Sequence, residues 1–448
     1  MFKKSLFIFF VSAILFTGCS NNKFVDSKTI AHTLHQEQLE NRQLTYKVDR
    51  YFGENVETYK RSDGKTLIYV YSSPIEKCCN LIKKEGNNQF VSKGDYCSKY
   101  FPREFSFKNN LCIRNNNDYI NILPYDTGVY KGKISKQTNI FGQEKQAIVY
   151  ENVFGEGQIF YCYSTEFGIN TEIIIPKNPE TASFKLKIML PNLSEDTNSL
   201  DYILFKTPFK TSEVKSILYT PLLCDSSGNW SYANSVKLIE KDNETNIYTI
   251  EYTVDKDFLN NKNTKYPVTM NQSIYLYKTK QPDVSVYGGI NNTLNHYLSP
   301  YMLLGDATIK GEGWALIRYE TLNNLHIDPE KIVSAKYIFR NLFDLKKETK
   351  VSAYAVVFDW CSVNIRWYNR PPFDKRPVGT VLIQKKGDYE INLTPFFKEI
   401  LKNRIDPNAL YSVENSFMIK CDTKNSNIIF PSGDNGLFSP LLEIVLSE

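Results

Sequence analysis

The sequence predicts a mostly β protein folded as antiparallel β-sandwich domains, and three observations predict it. Apolar residues recur at every second position over short runs. Phe184, Leu186, Ile188 and Leu190 alternate with Lys185, Lys187 and Met189, and Tyr248, Ile250, Tyr252 and Val254 alternate with Thr249, Glu251 and Thr253. Successive side chains of a strand point to opposite faces, so each run offers one edge to a core and the other to water. The aromatic residues are 30 Tyr and 28 Phe against 4 Trp, a mixture that suits half-buried pleated surfaces better than helical bundles. Stretches such as Ser226-Ser227-Gly228-Asn229 and Pro431-Ser432-Gly433-Asp434-Asn435-Gly436 separate the runs and favour turns. With 42% hydrophobic and 23% charged residues, the chain is too apolar for a disordered protein and too charged for a multi-span membrane protein. Its 448 residues suffice for about two or three domains.

The amino terminus opens with a short basic stretch, Met1 to Lys4, followed by an apolar run of about eleven residues from Leu6 to Phe16, interrupted only by Ser12. A helix needs about 20 apolar residues to cross roughly 30 Å of hydrocarbon. The run therefore reads as the hydrophobic part of an export signal. Leu15-Phe16-Thr17-Gly18-Cys19 resembles a bacterial lipoprotein lipobox, with Phe16 where leucine usually stands. The resemblance implies a lipoprotein signal peptide over 1–19, thioether lipidation of Cys19, and a protein held by membrane lipid on the extracytoplasmic face. Two or three acyl chains, at about 0.8 kcal/mol per buried methylene, anchor a protein stably without a spanning helix. Residues 20–45 are polar and read as a tether. His32 and His35 lie there without an acidic or cysteine partner at ligand spacing, so they read as solvated. The formal net charge of +5 is small for this length, and no concentrated Lys/Arg run accompanies it, which leaves nucleic-acid binding unsupported.

Eight further cysteines stand at 78, 79, 97, 112, 162, 224, 361 and 421. Their even number permits disulfides in an exported protein but does not fix connectivity. A bridge between Cys97 and Cys112, across one hairpin-sized loop, is the leading expectation. Cys162 and Cys421, in strand-like contexts, read as small buried hydrophobes. Beyond the tether, residues 46–270 form a β-rich region, divisible into 46–145 and 146–270, and 271–448 form a second sandwich. Strand runs are expected at 66–71, 273–277, 351–358, 389–393, 416–420 and 441–446. One short helix is marked: Thr394 as cap, Pro395 at the first helical position, and Phe396, Phe397, Ile400 and Leu401 on one face.

The C-terminal region resembles the DNRLRE domain, a bacterial β-sandwich related to carbohydrate-binding modules. The resemblance is carried in order by Asp283-Val284 and the glycine-rich stretch Gly288 to Asn292, Leu304-Gly305, Ala315-Leu316-Ile317-Arg318-Tyr319, Ile332-Val333-Ser334-Ala335 and Val351 to Tyr354. Next come Phe358-Asp359-Trp360 with Ile365-Arg366-Trp367-Tyr368-Asn369-Arg370-Pro371, then Tyr389-Glu390-Ile391-Asn392-Leu393-Thr394-Pro395. Ile428 to Ser432 and Ser439 to Ile444 complete the series. It implies a jelly-roll-like sandwich with one short helix, in which Trp360, Trp367, Asn369 and Pro371 belong to the fold motif. Upstream, Tyr150 to Val153, Gln158 to Tyr161, Gly168 to Ile175 and Pro221 to Gly228 are similar to the region preceding such domains in secreted wall-associated proteins of Gram-positive bacteria. Tyr266-Pro267-Val268-Thr269 looks like the junction, and the YD repeats of the larger relatives are absent.

The site residues follow from chemistry. An aromatic ring packs against the apolar face of a pyranose, which brings tryptophans forward first. Trp360 and Trp367 are separated by an odd interval, so on one continuous strand they would face opposite ways, and at least one is expected in the core. Trp314, Tyr301 and Tyr368, each beside polar residues, are the expected exposed sugar contacts. Asp434, with Asn435 and Gly436, or Asp306 offers oxygens for a structural calcium ion, although turn chemistry alone explains an Asp-Asn-Gly tripeptide. No other cofactor is implied. No GxSxG, HExxH, P-loop or dinucleotide fingerprint is present, and His296 and His326 sit in polar loops without a nucleophile motif. The expectation is a lipid-anchored surface protein whose last sandwich binds cell-wall or external polysaccharide without catalysis, its oligomeric state open. A structural wall-associated protein making protein contacts is the alternative class. A hydrolase in 46–270 acting through paired carboxylates is a third.

Overall fold

A computed structural model describes residues 44–48, 56–72 and 82–448, apart from 95–96, 116–117, 166, 192, 199–201, 207–213, 277–282, 289–295, 297–298, 307, 309, 320–321, 323–326, 359, 361–363, 406–415 and 434–439. The protein is mostly β, in antiparallel sheets that pack as two sandwiches. The alternating runs pair as their patterns require. Ser183–Met189 lies between Ile247–Thr253 and Asp118–Pro124, with Leu186 opposite Ile250 and Ile188 opposite Tyr248, so the apolar edges of neighbouring strands coincide.

The first sandwich stacks an eight-stranded sheet on a ten-stranded one. The eight-stranded sheet runs from Ser235–Asp242 through Ile247–Thr253, Ser183–Met189, Asp118–Pro124, Leu111–Asn115, Ser98–Pro102 and Gln89–Lys93 to Lys83–Glu85. The ten-stranded sheet centres on Gly168–Ile175 and Val268–Tyr275, paired along their whole length. Ile113, Ile122, Leu186, Ile250, Ile148, Ile173 and Ile274 fill the space between the sheets and are inaccessible to solvent. Strands on both sides of residue 145 contribute to each other's core, so 46–145 and 146–270 are not separate units. The reason is that Asp118–Pro124 pairs on one side with Leu111–Asn115 of its own half and on the other with Ser183–Met189, so one sheet runs across the division.

The second sandwich places Asp283–Tyr287, Gly313–Arg318, Ser416–Cys421, Thr349–Val356 and Phe373–Ile383 in one sheet. Opposite lies a six-stranded sheet ordered Leu44–Val48, Val56–Arg61, Thr66–Tyr71, Leu441–Leu446, Ile332–Asn341 and Gly387–Asn392. Its first three strands come from the start of the described chain. Ile68 stands opposite Ile444 and Val70 opposite Leu442, and Val56, Ile68 and Val70 point into the same core as Ile317, Phe417 and Phe430. The helix Thr394–Ile405 buries Phe396, Phe397, Ile400 and Leu401 on that core. Thr394 is its first residue and not its cap: the Thr394 hydroxyl oxygen accepts the Ala335 amide, and the Asn392 side chain accepts the Thr394 amide.

The division at 270/271 therefore differs from the sheets in two ways. It cuts through Val268–Tyr275, a central strand of the first sandwich, and it leaves out the hairpin that completes the second. The first sandwich is inserted into the second. Ser72, where the chain leaves, and Asp283, where it returns, flank Gly433: the Gly433 amide donates to Asp283 at 2.8 Å, and a Cβ there would lie 2.8 Å from the Ser72 carbonyl oxygen. The sandwiches also share an apolar contact of Phe141, Leu222, Tyr232, Tyr287, Tyr301, Leu303 and Phe343, in which the rings of Trp230 and Phe343 stack 5.6 Å apart.

Cys97 and Cys112 are not bridged, and Cys112 keeps a free thiol. In the register Ser98 faces Arg114 and Tyr100 faces Cys112. Cys97 thus lies about three residues along the strand from Cys112, roughly 10 Å, beyond the reach of a disulfide. Cys162 is buried as expected and Cys421 is half-buried. The signal peptide with Cys19, the tether as far as residue 43 with His32 and His35, Cys78, Cys79, Cys361, His326 and Asp434 lie outside the described residues.

Candidate functional site

Two of the three expected sugar contacts are interior. Tyr301 is 3% exposed because its strand, Tyr301–Leu304, faces the contact between the sandwiches, where its ring meets Phe141 and Tyr232 and its hydroxyl donates to Asn271 at 3.2 Å. Trp314 is 8% exposed, since the chain folds back over it. Tyr368 is 65% exposed, as expected of a contact residue.

The fold-back is the segment between Thr349–Val356 and Phe373–Ile383. Its ends are tied where the Val357 amide donates to the Pro372 carbonyl oxygen at 3.1 Å. The outer face of the sheet carries Val284, Val286, Trp314, Leu316, Tyr354 and Met418, a stripe too apolar to stand in water, and Trp360 and Ile365 of the loop close over it. Trp360 is 5% exposed and is core. Trp367 does not continue a strand from Trp360. It opens the short 3-10 turn Trp367–Asn369 and remains half-buried. Asn369 shapes this turn, accepting the Arg366 amide at 2.7 Å and donating to the Asn364 carbonyl oxygen at 3.0 Å, while Pro371 is buried behind it.

The result is a wall of rings with cations laid on it. Trp314 and Trp367 lie 4.6 Å apart between centroids, and Phe373 meets Trp314 edge-on at 5.4 Å. The Arg370 guanidinium sits 4.1 Å from the Trp367 ring centre and 4.6 Å from that of Trp314. One of its nitrogens, Nη1, donates to the Trp367 carbonyl oxygen. Such contacts contribute about 0.5–2 kcal/mol each and fix a long side chain that would otherwise be mobile. Lys420 lies 5.2 Å from the ring centre of Tyr354 and 5.8 Å from that of Trp314. Glu312 accepts the Trp314 indole N–H at 2.9 Å, and Asp422 accepts the hydroxyls of Tyr354 at 2.8 Å and Ser352 at 2.5 Å. Burial, then the bond to Asp422, pushes the Tyr354 phenol up to about 12, so it stays a donor. Tyr368 and, at the start of the loop, Phe358 are both 65% exposed.

Arg370, Phe373, Tyr354 and Lys420 were not nominated from the sequence. Arg370 lies inside the Trp-Tyr-Asn-Arg-Pro stretch, but its place on Trp314 depends on a fold-back that strand periodicity does not encode. The arrangement can stack and hydrogen-bond a ligand.

Asp306 turns its carboxylate to the chain itself. Backbone amides of Asn425 and then Ser426, the latter at 3.2 Å, hold it below the usual carboxylate range and join two loops. Among the described residues no three His, Cys, Asp or Glu side chains gather as a metal site. His296 is buried, its ring edge-on to Tyr287 at 4.6 Å. Among the described residues of the first sandwich, Glu172 is strongly raised, pushed up to about 7 by burial against the pull of its donors, the Ile140 amide, the Tyr163 hydroxyl and the Asn271 amide group. At 2% exposure it faces no ligand.

No protein-family model matches the chain, and no curated protein is similar to it.

Proposed function

We propose that this is a lipid-anchored protein of the extracytoplasmic membrane face, held through Cys19, whose second sandwich is a DNRLRE-like module that binds cell-wall or external polysaccharide without cleaving it. The observation that carries the binding reading is the closed loop over the outer sheet face, where half-buried Trp367 and exposed Tyr368 stand on a base stiffened by Trp314, Phe373 and Arg370. Pyranose rings have apolar faces that stack on such side chains and hydroxyls that bond to the polar groups around them. A base already ordered before binding loses little freedom when the ligand arrives. The lipobox-like segment supports the anchor.

A glycan array probed with the intact chain tests the reading. Retention of at least one glycan is expected, together with its loss in the Tyr368→Ala variant at an unchanged thermal midpoint. A silent array would leave the alternative, a structural protein whose sandwiches make protein contacts.

A further inference from the structure

We infer that the sugar taken by the Trp367–Tyr368 loop is acidic, its carboxylate received by Arg370. This rests on the binding reading above and names the ligand class of the same site. Arg370 lies on two indole rings, and Glu312 is the carboxylate that acts on it, through its charge and without an ion pair within 4 Å among the described residues. By contrast, Arg340 and Arg376 each meet an aspartate, Asp388 at 2.7 Å and Asp374 at 3.1 Å. Of the described acids nearby, Glu312 acts on Arg370 through its charge but spends a hydrogen bond on the Trp314 indole N–H, and Asp422 takes two hydroxyls and lies 3.9 Å from Lys420.

A guanidinium has five N–H donors in one plane, and the bond to the Trp367 carbonyl oxygen uses one nitrogen. The remaining donors match a carboxylate, which two parallel N–H···O bonds hold more strongly than a neutral hydroxyl. Stacking on Trp314 and Trp367 fixes the plane of the fork before the ligand arrives, so the rotamer freedom of a long side chain is already lost. The Arg370 guanidinium covers the Trp367 ring, so in the proposed complex a sugar held against Tyr368 and the edge of Trp367 presents its carboxyl substituent to the fork. Arg366 and Lys420 add positive charge around the loop, which favours an anionic chain over a neutral one.

The test uses the intact chain and four probes: polygalacturonate, its methyl ester, its carboxyl-reduced neutral form, and inorganic polyphosphate. Polygalacturonate should bind at least 10-fold more tightly than the ester or the reduced polymer, because a hydrogen bond to a charged group is lost with the charge. Arg370→Lys keeps the charge without the fork and should weaken polygalacturonate binding about 10-fold, and Arg370→Gln up to 100-fold, each several-fold more than it weakens binding of the methyl ester. Because Arg370 also braces the turn, the ratio of acid to ester binding within each variant is the readout, and a ratio unchanged from the parent protein would overturn the role of Arg370. Equal binding of ester and acid would overturn the acidic-sugar inference while leaving the binding site. Polyphosphate binding as tight as polygalacturonate would overturn it in favour of bare charge. Failure of every probe on a silent array would remove the binding reading itself, and this inference with it.

Discussion

Glu172 ties the sandwiches together through a short polar relay. Tyr163 donates to one carboxylate oxygen at 2.9 Å, Asn271 reaches the other at 3.3 Å, and Asn271 in turn accepts the Tyr301 hydroxyl of the second sandwich. Burial raises this carboxyl from the ordinary 4.5 to about 7, so between those values the folded protein binds a proton the unfolded chain has released. Its contribution is fully present below about pH 4.5 and is lost as pH rises through 7, an effect of order 3 kcal/mol at most. Asp283, also buried and raised, acts in the same direction. The thermal midpoint should therefore fall between pH 5 and pH 8, and Glu172→Gln should fall less. An identical fall in both proteins would show that Glu172 ionises freely. Gly305 has φ of +120°, and a Cβ there would lie 2.0 Å from the Ser426 carbonyl oxygen, so Gly305→Ala should destabilise by at least about 1–3 kcal/mol in a denaturant titration. Asp306→Ala should lower the midpoint by about 1 kcal/mol of stability whether or not EDTA is present, since its partners are amides. A drop that appears only in the presence of calcium would give the carboxylate back to a metal.

The elements were legible where one face is core. The runs expected at 66–71, 389–393, 416–420 and 441–446 are the strands Thr66–Tyr71, Gly387–Asn392, Ser416–Cys421 and Leu441–Leu446 within a residue or two. Their alternation follows from burial of one edge. The helix was legible because Pro395 and the Phe396–Leu401 spacing act locally. Strand partners were not, because period two fixes which face is buried and leaves open which strand lies alongside. The hairpin Val56–Arg61 and Thr66–Tyr71 thus read as part of the upstream region, although it pairs with Leu441–Leu446. Trp314 and Tyr301 were misjudged for a related reason. Polar neighbours suggested exposure, but a fold-back loop and a second sandwich, both formed at long range, cover them. One consequence is measurable. Trp314, Trp360 and Trp367 all belong to the second sandwich, so their fluorescence reports its unfolding. Ile68→Ala should shift that transition by about 2–4 kcal/mol despite its distance in sequence. An unshifted tryptophan signal would detach the hairpin from this sandwich.

At the scale of the whole molecule, one sandwich interrupts another, and the chain enters and leaves it on either side of Gly433. Residues 271–448 alone lack one of the two strands that pair with Leu441–Leu446, Thr66–Tyr71, and the side chains of Val56, Ile68 and Val70 in the core. They should give no cooperative unfolding, whereas 44–72 joined by a short linker to 283–448 should restore it. Cooperative melting of the short piece would contradict the insertion. The first described strands, Leu44–Val48, Val56–Arg61 and Thr66–Tyr71, belong to the second sandwich, which also carries the proposed binding loop. Tryptophan emission of the intact chain titrated with polygalacturonate, with polymer length followed in the same samples, tests the function most directly. A saturable change that is absent in Tyr368→Ala, with the polymer unshortened, is the predicted result. A flat titration at every concentration, or progressive shortening of the polymer, would contradict it.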